Sequence, residues 1–241
     1  MTTLQTGQAY AEEHNREIAD EFAREGCVLV PGVFSPDEVK VLRERTDACF
    51  HRREEIPPQH VSYVNGAFVL RRGAELDPLF ASLPTREPIH SLAAAVLGPQ
   101  PRFNALNVIR NEPGQAISSW HVDDTVEFPL PESIPRFDAR MRMPVFWFTV
   151  QVALSDITLL EHGPTQYVPG SHYSGRRPVS QEDPVFEGQG PRAVFCRAGD
   201  IYFTNHQAWH RGAPNTSDRI RYVMQLQYAQ RWADARFKGE A

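Results

Sequence analysis

Trp120-His121-Val122-Asp123-Asp124 is the stretch on which the fold of this chain turns. On an extended backbone alternate side chains share a face, so the imidazole of His121 and the carboxylate of Asp123 aim at one point while Val122 turns away. A second imidazole from a remote strand, His210, completes two nitrogens and one oxygen on one side of a metal ion. That donor set leaves the opposite positions open for other ligands, an arrangement suited to iron(II) oxygen chemistry. An isolated H-x-D pair arises by chance in many chains, so the flanking sequence must supply a sheet that brings the two strands together.

The flanks are β-rich. After Pro101, short apolar runs recur at 103–110, 117–122, 145–154, 166–168, 193–196, 201–204 and 220–228. Turn-forming clusters separate them at Glu112-Pro113-Gly114, His162-Gly163-Pro164, Pro169-Gly170-Ser171 and Ala198-Gly199-Asp200. Short strands at this spacing predict a sandwich or jelly roll, not a βαβ sheet. The first hundred residues read as mainly helical, with helices expected over 7–24, from Pro36 onward and over 87–97, and a short strand at Cys27–Val30. The second helix has the clearest start: Ser35 at the N-cap, Pro36 at N1 and Glu38 at N3 form a capping box, with Phe34 and Val39 at the staple positions. The expected organisation is a single domain over 1–241, with a mainly helical flank over 1–100 and a jelly-roll core over 101–230.

Composition narrows the function classes. A formal net charge of -5 and a pI near 6.0, with no basic run, argue against a nucleic-acid or anionic-membrane partner. The N-terminal segment is polar, which predicts neither a signal peptide nor a membrane span. Three scattered cysteines, Cys27, Cys49 and Cys196, read as buried thiols of a reducing cytoplasm. There is no glycine-rich phosphate loop and no G-x-S-x-G elbow, which disfavours nucleotide binding and serine hydrolysis.

With these segments in order, the chain resembles the phytanoyl-CoA dioxygenase family of Fe(II)/2-oxoglutarate oxygenases over roughly residues 20 to 230. Glu25 to Val39 looks like the family's opening strand and helix, and Trp120-His121-Val122-Asp123 like its metal motif. His162-Gly163-Pro164-Thr165-Gln166-Tyr167-Val168-Pro169-Gly170-Ser171-His172 resembles its PGSH segment, and Ala198-Gly199-Asp200-Ile201 precedes the last metal strand. His210-Arg211-Gly212-Ala213-Pro214-Asn215-Thr216-Ser217, then Arg221 and Tyr228, resemble the distal histidine and the cosubstrate arginine. His162 stands where the family usually has asparagine, and a proline-rich insert follows Asp123.

The resemblance implies a mainly β (α+β) fold with a double-stranded β-helix, cupin-like core. It implies Fe(II) held by His121, Asp123 and His210, with 2-oxoglutarate and O2 as cosubstrates and succinate and CO2 released. Arg221 is the implied anchor of the distal carboxylate, since arginine grips a carboxylate bidentately where lysine does not. Arg219 shares its strand face and remains the alternative. Thr165 is implied as a hydroxyl against the cosubstrate. A carboxylate at position 123, where halogenases of this superfamily carry a small residue, implies hydroxylation or a related C–H oxidation of a small organic metabolite. The alternatives are a cupin-like metal sensor without turnover and a metal-dependent hydrolase or isomerase, neither of which needs an arginine at position 221.

Other residues have plainer readings. His206, four residues before His210, faces the same side on a regular strand and is the alternative third ligand. His172 is read as a local hydrogen-bonding residue of its turn, His162 as a turn residue, Asp124 as a solvated or ion-paired carboxylate, and the tryptophans as core or pocket wall. The insert 125–144, with Arg136, Arg140 and Arg142, is the expected substrate wall or lid, and 173–191 a second rim.

Overall fold

The helix start at Pro36 is built as read, whereas the first helix begins at Glu12 and not at residue 7, and the last at Ile89 and not at residue 87. The structure, a computed structural model, describes residues 7–115 and 119–233. Helix α1 spans Glu12–Glu25 and ends on Gly26 in the left-handed region, followed by strand β1, Cys27–Val30. Helix α2, Pro36–His51, opens on the complete capping box: Glu38 N–H donates to Ser35 Oγ at 3.3 Å and Ser35 N–H to Glu38 Oε2 at 2.8 Å. The other Glu38 oxygen accepts from Arg86 Nη2 at 2.9 Å in a buried pair. Burial alone would raise the Glu38 carboxyl, but the Ser35 backbone donor and Arg86 outweigh it and hold the group below its usual range.

The flank is not only helical. Strands β2 (Val61–Val64) and β3 (Ala67–Leu70) form a hairpin absent from the reading above. Asn65 and Gly66 both have positive φ, 48° and 86°, which is the Asn-Gly chemistry of a tight hairpin turn. Helices α3 (Pro78–Ser82) and α4 (Ile89–Leu97) follow.

The core strands are β4 (Arg102–Asn111), β5 (Trp147–Ala153), β6 (Thr165–Tyr167), β7 (Arg192–Ala193), β8 (Ile201–Asn205), β9 (His210–Gly212) and β10 (Arg221–Ala229). They build two antiparallel sheets, one of seven strands in the order β1-β8-β5-β10-β4-β3-β2 and one of three in the order β7-β6-β9. The flank thus gives β1, β2 and β3 to the large sheet, beyond the single strand expected of it. The fold is a jelly roll of the cupin-like, double-stranded β-helix kind.

Strand parity divides the large sheet. Phe148, Val150, Val152, Ile201, Phe203, Met224 and Leu226 lie in one apolar cluster with Phe22 of α1, Leu42 of α2 and Leu92 of α4. Each such buried side chain contributes about 1.5–3 kcal/mol. Their neighbours Thr149, Gln151, Tyr202, Thr204 and Arg221 face the other way, toward the small sheet, and that face carries the site. The strand expected over 117–122 does not form among the described residues: Ile117 lies outside them, and only isolated bridges at Gln115–Asn215 and His121–His210 flank the gap. No described helix is long and apolar enough to cross a membrane.

Candidate metal centre

His121 and His210 face each other across an antiparallel bridge, each N–H donating to the other's carbonyl at 3.0 Å. Opposed residues of such a pair project to the same side, and the two ring centroids lie 4.4 Å apart. Asp123 N–H donates to His206 O at 3.0 Å, which ties the chain beyond the bridge to His206 with the carboxylate on that side. Asp123 Oδ1 is 3.3 Å from His121 Nε2 and 3.4 Å from His210 Nε2, and one donor atom from each residue lies within 4.8 Å of the others. A short bridge therefore does here what the sequence reading asked of a full strand.

The second nitrogen of each ring is occupied. His121 Nδ1 lies 2.7 Å from Ser119 O and His210 Nδ1 2.9 Å from Ala208 O. A carbonyl only accepts, so Nδ1 carries the proton in both rings and Nε2 presents its lone pair to the centre, as metal-ligating histidines do. The donor set thus fits a divalent metal by tautomer as well as by position. In the metal-free protein, burial alone would raise the Asp123 carboxyl, but His210, His206 and hydrogen bonds from His121 and His210 outweigh it and hold the group well below its usual range. Burial would lower His210, yet Asp123 pulls it up.

His206 is placed beside this centre and not in it. Its Nε2 lies 2.9 Å from Thr149 Oγ1 and its Nδ1 2.8 Å from Asp124 Oδ2, so both ring nitrogens already have partners. The same Nε2 is 3.6 Å from Asp123 Oδ2, the carboxylate oxygen turned away from His121 and His210. Burial would lower this imidazole as well, and Asp123 and Asp124 raise it. Asp124 is ion-paired, its partner being His206. The Asp124–His206–Thr149 linkage was not read from the sequence, although Thr149 has the inward parity of β5 and His206 follows the last residue of β8.

Deeper between the sheets, Arg221 Nη2 donates to Thr165 Oγ1 at 3.4 Å, and Thr165 Oγ1 is 2.9 Å from Tyr202 Oη. Arg221 is buried, and its Nε and Nη1 have no hydrogen-bond partner among the described residues. A buried guanidinium with two unused donor nitrogens beside two neutral hydroxyls has the chemistry to hold a carboxylate. Burial pushes the Tyr202 phenol up to about 12, against the opposing pull of Arg221, so it stays a neutral donor. Tyr202 is the residue here that the sequence reading passed over. Arg219 takes a different place, its guanidinium packed on His162. Tyr228 turns to the helices, donating to Pro84 O at 3.0 Å, and is outside the site.

The insert 125–144 packs against residues that flank the small sheet. Val126, Phe137 and Met143 lie against Trp120, Val122, Tyr173 and Trp209. Its three arginines are paired within the protein: Arg136 with Glu187, Arg140 with Asp138 and Arg142 with Asp20. His172 reaches beyond its own turn, its Nε2 lying 3.0 Å from Ala23 O in α1.

The sequence profile described as Phytanoyl-CoA dioxygenase (PhyH) matches residues 22–223. Among solved structures, the epimerase SnoN in complex with Fe3+, alpha ketoglutarate and nogalamycin RO is 22% identical, with a TM-score of 0.69, over 91% of this chain and 85% of that one. HygX from Streptomyces hygroscopicus, with nickel, 2-oxoglutarate and hygromycin B bound, is 19% identical, with a TM-score of 0.70, over 90% of this chain and 88% of that one. The alpha ketoglutarate-dependent carbocyclase SnoK from nogalamycin biosynthesis is 23% identical, with a TM-score of 0.66, over 93% and 87%. At such identities the likeness speaks to the fold.

Proposed function

The chain belongs to the phytanoyl-CoA dioxygenase family of non-heme iron, 2-oxoglutarate-dependent oxygenases, and on that premise we propose that His121, Asp123 and His210 hold its iron(II), with Arg221 and Thr165 holding 2-oxoglutarate, for oxidation of a C–H bond in a small organic metabolite. The observation that carries this assignment is the pairing of a three-donor cluster with a buried, under-used guanidinium in the same inter-sheet space. A metal sensor or a hydrolase built on the same ligands has no use for that cation.

When bound, iron with 2-oxoglutarate and O2 supplies the oxidising chemistry, releasing succinate and CO2. The protein's own part is placement. Ser119 and Ala208 carbonyls accept from Nδ1–H of His121 and His210, so both rings turn Nε2 toward the metal position. Asp123 contributes the negative charge that offsets part of the metal's. Arg221, Thr165 and Tyr202 supply donors for the distal carboxylate of the cosubstrate, away from bulk water. His206 braces the outer oxygen of Asp123 through Thr149 and Asp124. SnoN and HygX, which share the fold, are bound to nogalamycin RO and hygromycin B respectively, and that supports a small organic substrate here. We place the protein in the reducing cytoplasm because Cys27, Cys49 and Cys196 are all buried free thiols.

The test is succinate formation by anaerobically purified protein given Fe(II), 2-oxoglutarate and then air, with a metabolite panel. Succinate that requires both iron and 2-oxoglutarate and rises with a panel member is the expected result. A protein that binds iron yet shows no affinity for 2-oxoglutarate would overturn the reading in favour of the sensor or hydrolase.

A further inference from the structure

We propose that the inward face of the large sheet beside the metal ligands is a subsite for an uncharged, hydroxyl-bearing substrate, read by the side-chain amides of Gln225 and Gln227. This deepens the oxygenase reading and rests on it.

Register places the subsite. Gln227 lies directly opposite Thr149 on β5, and Gln225 lies between Gln151 on β5 and Asn107 on β4. Directly opposed Cβ atoms are about 4.5–5.5 Å apart. Thr149 Oγ1 is 2.9 Å from His206 Nε2, which is 3.6 Å from Asp123 Oδ2. Gln227 is therefore one cross-strand step from the residue that borders the metal ligands, and Gln225 is on the same face one step deeper.

Exposure shows an opening over these two positions, whose neighbours Thr149, Gln151 and Asn107 are buried. Strand β10 is hydrogen-bonded on both edges, to β4 and β5, and its helix-side residues Met224 and Leu226 are fully buried at 0%. Gln225 and Gln227 on the same strand are only half-buried. A residue in the middle of a central strand can meet solvent only if space opens between the sheets above it. Among the described residues, neither amide side chain makes a hydrogen bond within the protein.

Chemistry then selects the ligand. A primary amide donates two hydrogen bonds and accepts through its oxygen, so it pairs with a hydroxyl in either sense. Beyond Asp123 and the histidines, the charged side chain on this face of β10 is Arg221, which the cosubstrate engages. The insert arginines are paired with Glu187, Asp138 and Asp20. On this face of β10 an anionic substrate would meet no cation besides Arg221, and a wholly apolar one would leave two amides desolvated and unpaired. A neutral polyol or glycoside meets neither cost.

The experiment uses full-length protein loaded with Ni(II) and 2-oxoglutarate, and saturation-transfer NMR titrations with methyl α-glucopyranoside, maltose, octanoate and octanoyl-coenzyme A. Binding of 2-oxoglutarate is recorded first; its absence would sink the oxygenase reading, and this subsite with it, before any probe is added. With 2-oxoglutarate bound, the expected result is saturation of the neutral sugars alone, weakened about 10-fold in Gln227→Leu and in Gln225→Leu as roughly one hydrogen bond is lost from each. Circular dichroism checks that both variants fold, and Gln227→Asn, which keeps the amide, is expected to recover part of the loss. Preference for octanoate or octanoyl-coenzyme A, no sugar binding, or equal sugar affinity in wild type and both leucine variants would each overturn the subsite while leaving the oxygenase reading intact.

Discussion

Along β10, Tyr222, Met224, Leu226 and Tyr228 turn to the helices and are buried, while Arg221, Val223, Gln225 and Gln227 turn to the space between the sheets. The two sets alternate on one strand, with the same backbone hydrogen bonds and the same neighbours β4 and β5. They differ in what a substitution should break. The helix side is close-packed hydrocarbon, where volume is what counts. The inner side holds donors, acceptors and one cation, where loss of a partner affects ligands and leaves the fold standing.

The sharpest break of this contrast comes from the proposed metal ligands. Asp123→Ala removes the carboxylate that both histidines face, so turnover should fall to background while the circular dichroism spectrum and melting temperature stay near wild type. Iron content after anaerobic loading checks it; a collapse of the fold would show that the inner face also carries stability. Leu226→Ala is the mirror experiment. It should cost about 2–5 kcal/mol of stability, read by urea denaturation, with iron affinity of the folded fraction unchanged.

Stability also has a titratable contribution on the outside of the small sheet. Burial, opposed by the Ala23 carbonyl and reinforced by Arg136, pushes the His172 imidazole down to about 4 from its usual 6.5. Below 6.5 the unfolded chain takes up a proton that the folded one refuses, so this residue erodes stability as pH falls from 6.5 to 4, by at most about 3 kcal/mol. The raised imidazoles of His206 and His210 act above that range, adding stability that is complete below 6.5 and lost as pH rises past it. The measurement is therefore the difference between wild type and His172→Gln across pH 4 to 7, and a difference that does not vary with pH would disprove the linkage.

Smaller effects probe the inner face. Arg221→Ala should raise the KM for 2-oxoglutarate about 10- to 100-fold by removing charge-assisted hydrogen bonds, while Arg219→Ala leaves it within about twofold; the reverse ranking would move the anchor to Arg219. His206→Gln should weaken iron binding about 10-fold, the low end for a group that braces a ligand. An iron affinity equal to that of wild type would reduce His206 to a packing residue.

Much of this was legible in the chain. The capping box at Ser35, Pro36 and Glu38 is a local device, complete within one helical turn, and the structure builds it as read. The strands β4, β5, β8 and β10 announce themselves by apolar alternation and turn residues. The hairpin over 61–70 carried its own signal in Asn65-Gly66, which a reading of that flank as helical passed over. The insert 125–144 was read as a wall or lid, and nothing in its composition tells that its apolar residues pack against residues that flank the small sheet.

What the sequence determined by itself is what depends on neighbours along the chain: the capped helix start, strand parity, and the H-x-D pair that sets His121 and Asp123 on one side. Tertiary structure alone decided what depends on neighbours across space. Parity left Arg219 and Arg221 equivalent, and His206 and His210 as well. The packing separated them by giving Arg219 a partner in His162, and His206 partners on both ring nitrogens. His210 kept Nε2 turned to Asp123, and Arg221 kept two donors unused. Periodicity fixes the direction of a side chain, whereas its role is fixed by which partners the distant strands have already used.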